Sequence, residues 1–229
     1  MKLYHGSNHI IRNPQLSLGK HNNDYGRGFY CTENIEIAKE WACKENNNGF
    51  VNQYELNIGS LKILDLTDGN YSILNWLALL LKNRDFNIEN EISIHAKNYI
   101  LENFLIDTSE FDVIIGYRAD DSYFSYAQAF ISNNLPLKRL NEALYLGKLG
   151  LQVVLVSNKA FSNLSFVDAE PAAKEIYYTK FHTRDLNARQ SYRNDIKNKY
   201  NIFEDIFILD ILREEMKNDD ERIQRIISK

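Results

Sequence analysis

"DYGRGFYCTENIEIAKEWA", residues 24–42, sets two glycines and two adjacent aromatics ahead of a helical pattern that ends in a tryptophan. Residues 28–32, "GFYCT", read as a short strand. Side chains alternate along a strand, so Phe29 and Tyr30 point to opposite faces and at most one of them meets a pocket. "NIEIAKEWACKE", residues 34–45, reads as a helix. Thr32 is its expected N-cap, and Glu33 and Glu36 lie near its positive end. Two readings are open. Phe29, Tyr30 and Trp41 are ordinary core aromatics, or Tyr30 and Trp41 are the walls of a slot for a flat ring.

Outward from this stretch, "KLYHGS" at 2–7 is a strand, followed by a long polar loop. Strands are expected at 50–57 and 61–66, and helices at 71–82 and 91–106. "DVIIGYR" (112–118) is a strand closed by a turn. Residues 122–133 and 137–147 are helical in pattern. "LQVVLVS" (151–157) is apolar and β-branched, as a buried strand requires, and 164–168 is a further strand. From about Pro171 the sequence is charged and helical. It contains "KFHTRDLNARQSYRNDIKNKY" and the amphipathic "IFEDIFILDILREEM" (202–216). Strands and helices are interspersed without regular βαβ alternation, which predicts an α+β fold. The boundary falls near 168, giving a domain at 1–168 and a helical extension at 169–229 packed on that domain or on a partner.

With 229 residues, 44% hydrophobic and 25% charged, the chain has the composition of a globular protein that buries a substantial core. A net charge of -4 argues against broad electrostatic binding to nucleic acid. Six basic residues against two acidic ones in 180–199 still make a local basic stretch, with Arg189, Arg193 and Lys197 on one helical face. Such a face is solvated or meets an acidic partner. Two cysteines, without a CxxC or a Cys/His cluster, point away from structural zinc and fit a reducing compartment. The amino terminus is too polar for a signal peptide, and no apolar run is long enough to span a bilayer, so a cytoplasmic location is expected.

Three stretches stand out in order: "LYHGS" (3–7), "YGRGFYCTENIEIAKEWA" (25–42) and "LGLQVVLVS" (149–157). Together they resemble the ADP-ribosyltransferase superfamily, in its diphtheria-toxin and poly(ADP-ribose) polymerase branch. The nearest likeness is the uncharacterised bacterial domain of unknown function 3990 family, with its LYHGS, GxGFYxT, GYRADDSYF and LGxQVV signature. The likeness runs from about residue 2 to 167. It implies a split β-sandwich with surrounding helices, and NAD as co-substrate with no metal.

The implied reaction breaks the bond between ribose and nicotinamide through an oxocarbenium-like transition state, as in glycoside cleavage. His5 would hydrogen-bond a ribose hydroxyl, Tyr30 would stack on the nicotinamide, and Gln152 would bind the ribose where the family usually has Glu. These three form the expected catalytic set. Gly6, Ser7, Gly28, Trp41 and Arg118 join His5 and Tyr30 in the expected NAD site, Gly6 by letting the backbone approach the amide and Arg118 on the pyrophosphate. Ala38 stands where the polymerase pattern has an amide-binding Ser. "GYRADDSYFSYAQAF" (116–130) adds Asp120, Asp121 and Tyr123 as a pocket or acceptor loop, with Asp121 also a natural helix cap.

Without the charge of Glu at 152, mono-transfer to a protein or nucleic-acid acceptor is expected rather than polymer formation. Many bacterial relatives of such enzymes are toxins, paired with antitoxins or small neighbouring proteins. Two other readings stay open: an inactive NAD or ADP-ribose binding module, and an interaction module that works through the C-terminal helices. Read from its own residues, Gln152 is also a strand polar group bonded to backbone, and His5 a strand-end imidazole. Cys31 has no His/Asn partnership and is not expected to be a nucleophile.

Overall fold

The computed structural model describes residues 1–119, 121–146, 150–197, 200 and 205–227. The fold is α+β. Among the described residues, seven strands form two sheets: β1 (Lys2–Ser7), β2 (Phe29–Cys31), β3 (Gly49–Leu56), β4 (Ile63–Asp65), β5 (Val113–Tyr117), β6 (Leu151–Leu155) and β7 (Leu164–Ala172). The first sheet is antiparallel in the order β1-β3-β7, and the second has the order β2-β6-β5-β4. Among the described strands, β4 and β5 alone pair in parallel. Between them lie α2 (Ile73–Asn83) and α3 (Glu91–Phe104), the crossover that a parallel pair requires.

Strand alternation creates the layers. On β6, Val153 and Leu155 join Leu3, Phe29, Tyr54 and Leu56 in the core between the two sheets. Val154 points the other way, into a larger core built with α2, α3, α4 (Asp121–Ile131) and α5 (Leu137–Leu146). The outer face of the first sheet is covered by α1 (Ile35–Ala42) through Tyr4, Ala38 and Val51. The short helix α6 (Asn158–Ser162) connects β6 to β7.

Past β7 the chain turns into α7 (Lys174–Lys197), followed by α8 (Ile208–Arg213) and α9 (Glu221–Ile227). Ile208, Ile211, Met216 and Ile223 are buried in the same core as α2 and α3. The last strand is longer than "LSFVD" predicts and runs on to Ala172, opposite Gly49. The amphipathic stretch 202–216 yields a described helix only over Ile208–Arg213, with residues 201–204 outside the described set. No helix among the described residues is long and apolar enough to cross a membrane.

The expected cap of α1 is replaced. Asn34 Oδ1, rather than Thr32, accepts from the amides of Glu36 (3.0 Å) and Ile37 (3.4 Å). The Thr32 backbone has another task. It exchanges two hydrogen bonds with Tyr4, at 2.8 and 2.9 Å, and this single bridge joins β1 to the end of β2, and so one sheet to the other.

Candidate functional site

A cleft of about 720 Å³ lies beside that bridge, within the ~300–1,000 Å³ usual for ligand sites. His5 and Gly6 of β1, Gly28, Phe29 and Tyr30 at the start of β2, and Gln152 of β6 line it, with Trp41 of α1 and Arg118 after β5. Of the residues expected to act together, His5, Gly6, Gly28, Tyr30, Trp41, Arg118 and Gln152 are therefore brought to one cavity. Ser7 is not among its lining residues. Its hydroxyl donates to the His9 carbonyl and accepts from Asn52 Nδ2 at 3.3 Å. Asp120 lies outside the described residues. Asp121 and Tyr123 stand in the first turn of α4, and their side chains lie outside what is described.

His5 Nδ1 is 2.7 Å from the Tyr30 carbonyl oxygen. A carbonyl only accepts, so Nδ1 carries the proton and Nε2 is left as an acceptor. The ring stacks on Phe29 at 4.3 Å between centroids. Burial holds the imidazole below its ordinary pKa, against a smaller upward pull from the Tyr30 carbonyl, with His9 adding to the depression. His5 is therefore neutral at pH 7.

A consequence can be measured. Protonation is more costly in the folded state than in the unfolded one, so this contribution to stability is complete above about pH 6.5 and is lost as the pH falls through the folded value. Thermal unfolding of His5→Gln between pH 7 and 5 is expected to show a shallower loss of Tm than wild type. Equal slopes refute the assignment.

Tyr30 offers its ring rather than its hydroxyl. The hydroxyl donates to the Gly26 carbonyl (2.7 Å) and accepts from the Tyr25 amide (3.1 Å). Burial raises its pKa far above the usual phenol value, so it stays protonated. Trp41 carries the Arg118 guanidinium over its ring, 4.4 Å to the centroid, so one face of the indole is taken.

The two glycines have packing reasons. A Cβ on Gly6 would run into the Ala38 carbonyl and the Ala42 amide of α1, and one on Gly28 would lie 2.6 Å from Val154 Cγ1. Close approach of α1 to β1, and of β2 to β6, requires glycine at these positions. The helix behind Gly6 is by itself sufficient reason for glycine there, and Gly6 also lines the cleft. Cys31 is fully buried with its thiol pKa pushed far up by desolvation, which removes it as a nucleophile.

Two groups of residues were not anticipated. The first is Asp24, 4% exposed. Its Oδ1 takes Arg84 Nη1 at 2.9 Å, and its Oδ2 takes the Ala119 amide at 2.9 Å and Gln152 Nε2 at 3.5 Å. Burial pushes its pKa up, while the Ala119 N–H and the Arg84 and Arg118 guanidiniums pull it back. The turn that carries it is fixed from several sides. Asn83 Nδ2 donates to the Asp24 carbonyl at 3.3 Å, Tyr25 Oη donates to the Tyr117 carbonyl at 2.6 Å, and Gly26 has φ +75°, which favours glycine.

The second group is a stripe on α7: Tyr178, Phe181, His182, Asp185 and Arg189 line the cleft. Their spacing of three and four residues is the sequence signal, a single helical face of rings and charges. Arg184 Nε and Nη2 hold Glu40 Oε2 of α1 at 3.1 and 2.5 Å, and Lys180 holds Glu36 at 2.9 Å. Arg189 pairs with Asp185 at 2.8 Å. Three cations of the basic stretch thus face carboxylates, and Lys199 lies outside the described residues.

Trp41 and Gln152, which both line the cleft, each carry a buried polar atom with no hydrogen-bond partner among the described residues: the indole Nε1, a donor, and the amide Oε1, an acceptor. Buried polar groups in folded proteins are almost always satisfied. An unpartnered donor and an unpartnered acceptor on two residues of one cavity wall are what a polar ligand would complete. A family model described as "Protein of unknown function (DUF3990)" matches residues 1–166. No curated protein and no solved structure matches the chain.

Proposed function

The chain belongs to the DUF3990 family, and we propose that its cleft binds NAD and that the protein transfers ADP-ribose to a nucleophile on a macromolecule. The observation that carries this reading is that His5, Tyr30 and Gln152 line one cleft with unpartnered polar atoms. The two-sheet core with the cleft beside its bridge is compatible with the split sandwich that the resemblance implies.

NAD supplies a ribose–nicotinamide bond that breaks with both electrons on the departing, neutral nicotinamide, while the acceptor nucleophile bonds to the ribose carbon and gives up its proton. The chain's own residues bind and orient. His5 Nε2 accepts from a sugar hydroxyl. Tyr30 offers a ring face, and Trp41 Nε1 donates to a carbonyl or phosphate oxygen. Gln152 Oε1 takes a hydroxyl and directs the negative end of an amide dipole toward the sugar as positive charge develops there. Arg118, over Trp41, suits a pyrophosphate.

Incubation with NAD labelled in its adenylate part, in the presence of cell lysate, tests this. Wild type is expected to release nicotinamide and label macromolecules. His5→Ala and Gln152→Ala are each expected to lose on the order of 10²–10³-fold in rate, the usual cost of removing one transition-state contact. Binding of NAD without nicotinamide release identifies a nucleotide-binding module instead. No binding at all ends the reading.

A further inference from the structure

Gln152 stands on β6 opposite Gly116 of β5, 6% exposed, at the position where the resembled family usually carries Glu. Its surroundings account for the amide. Asp24 Oδ2 lies 3.5 Å from Gln152 Nε2. A carboxylate is acceptor-only, so it fixes which end of the amide faces it. The reverse orientation would set the Gln152 carbonyl against the Asp24 oxygens, acceptor to acceptor. The Nε2 end therefore faces Asp24, and the Oε1 end is left buried and without a partner among the described residues, on a side chain that lines the cleft. The Asp24 turn is itself anchored by Arg84 and by the Ala119 amide, on elements distant in sequence.

We propose that Asp24 is a positioning residue that turns the Gln152 carbonyl oxygen into the cleft, so that carboxylate and amide act there as one unit. This rests on the reading of the cleft as an NAD site. A Glu at 152 would bring a second carboxylate against the first, and like charges at that range disfavour each other strongly. Glutamine is thus the residue that fits beside Asp24, and its presence is no mark of a lost activity.

The test is a double-mutant cycle on the full chain with Asp24→Asn, Gln152→Glu and the two combined, read by calorimetric titration with NAD and by thermal unfolding. Gln152→Glu alone is expected to lower Tm by about 5 °C and to weaken NAD binding about tenfold. Asp24→Asn alone is expected to weaken binding by a similar factor, because an asparagine no longer dictates which end of the Gln152 amide faces it. In the combined variant the acid and the amide have changed places. Most of both losses is expected to return there, a recovery that a merely structural Asp24 does not give.

Additive losses overturn the proposal, as does a Gln152→Glu variant indistinguishable from wild type. If Asp24→Asn does not fold, Gln152→Glu is compared with the uncharged Gln152→Met. A larger loss of Tm for the glutamate supports the pair, and equal losses overturn it. Wild type that takes up no NAD refutes the NAD reading, and the Tm cycle then decides the Asp24–Gln152 pairing by itself.

Discussion

A chain ending after Lys197 is expected to lose its folded structure, although it keeps all seven strands and every cleft-lining residue. The reason is the core. Ile208, Ile211, Met216 and Ile223 are each 2% exposed or less and pack with α2 and α3. Burying such side chains contributes about 1.5–3 kcal/mol each, and a domain's whole net stability is about 5–15 kcal/mol. Specific hydrogen bonds go with them. The Leu137 amide donates to the Ile206 carbonyl at 2.8 Å, Ser72 Oγ to Asn218 Oδ1 at 2.8 Å, and Tyr99 Oη to the Met216 carbonyl at 3.1 Å. Limited proteolysis and near-UV circular dichroism on the shortened chain check this. A cooperative transition near the wild-type Tm refutes it.

Trp76→Ala is expected to cost about 3–5 kcal/mol, the range for deleting a buried aromatic side chain. At roughly 2–4 °C per kcal/mol for a chain of this size, Tm falls by about 10 °C. Trp76 is 1% exposed near the N-terminal end of α2 and is among the largest fully buried side chains. Its Nε1 donates to the Tyr117 carbonyl at 3.1 Å, the same oxygen that receives Tyr25 Oη at 2.6 Å. The indole therefore fills the helical core and also steadies the strand end against which the Asp24 turn is fastened. Trp76→Phe keeps most of the apolar area and gives up the N–H, so a loss nearer 1 kcal/mol is expected. Denaturant unfolding of both variants measures the difference. A Trp76→Ala loss below that of Trp76→Phe contradicts this account.

The strands were the most legible part of the fold, because burial on one or both faces leaves a period of two or an apolar run. "LQVVLVS" illustrates this: Val153, Val154 and Leu155 are all buried, on alternate faces, and the polar residue breaking that run, Gln152, proved to line the cleft. The His5 and Tyr30 neighbourhood was readable because Gly6 follows His5 on β1 and Gly28 stands two residues before Tyr30.

Asp24 was not readable. Next to Asn23 and ahead of Tyr25 and Gly26 it resembles any turn aspartate, and its burial depends on partners 60 and 95 positions away. The role of α7 was hidden for a different reason. Its composition is that of a solvated helix, and its seat depends on partners distant in sequence, among them Glu40 for Arg184 and Glu36 for Lys180. The cap of α1 shows a smaller limit. Thr32 and Asn34 are both good capping residues, and the bridge to Tyr4 decides between them by engaging the Thr32 backbone.

The family match ends at residue 166, yet Tyr178, Phe181, His182, Asp185 and Arg189 shape the mouth of the cleft. The side chains through which α7 is buried, Ala188 and Asp195, are different ones. Floor and rim are thus written in separate segments of one polypeptide. A substitution confined to that stripe would re-cut the doorway from outside the segment that the family match covers.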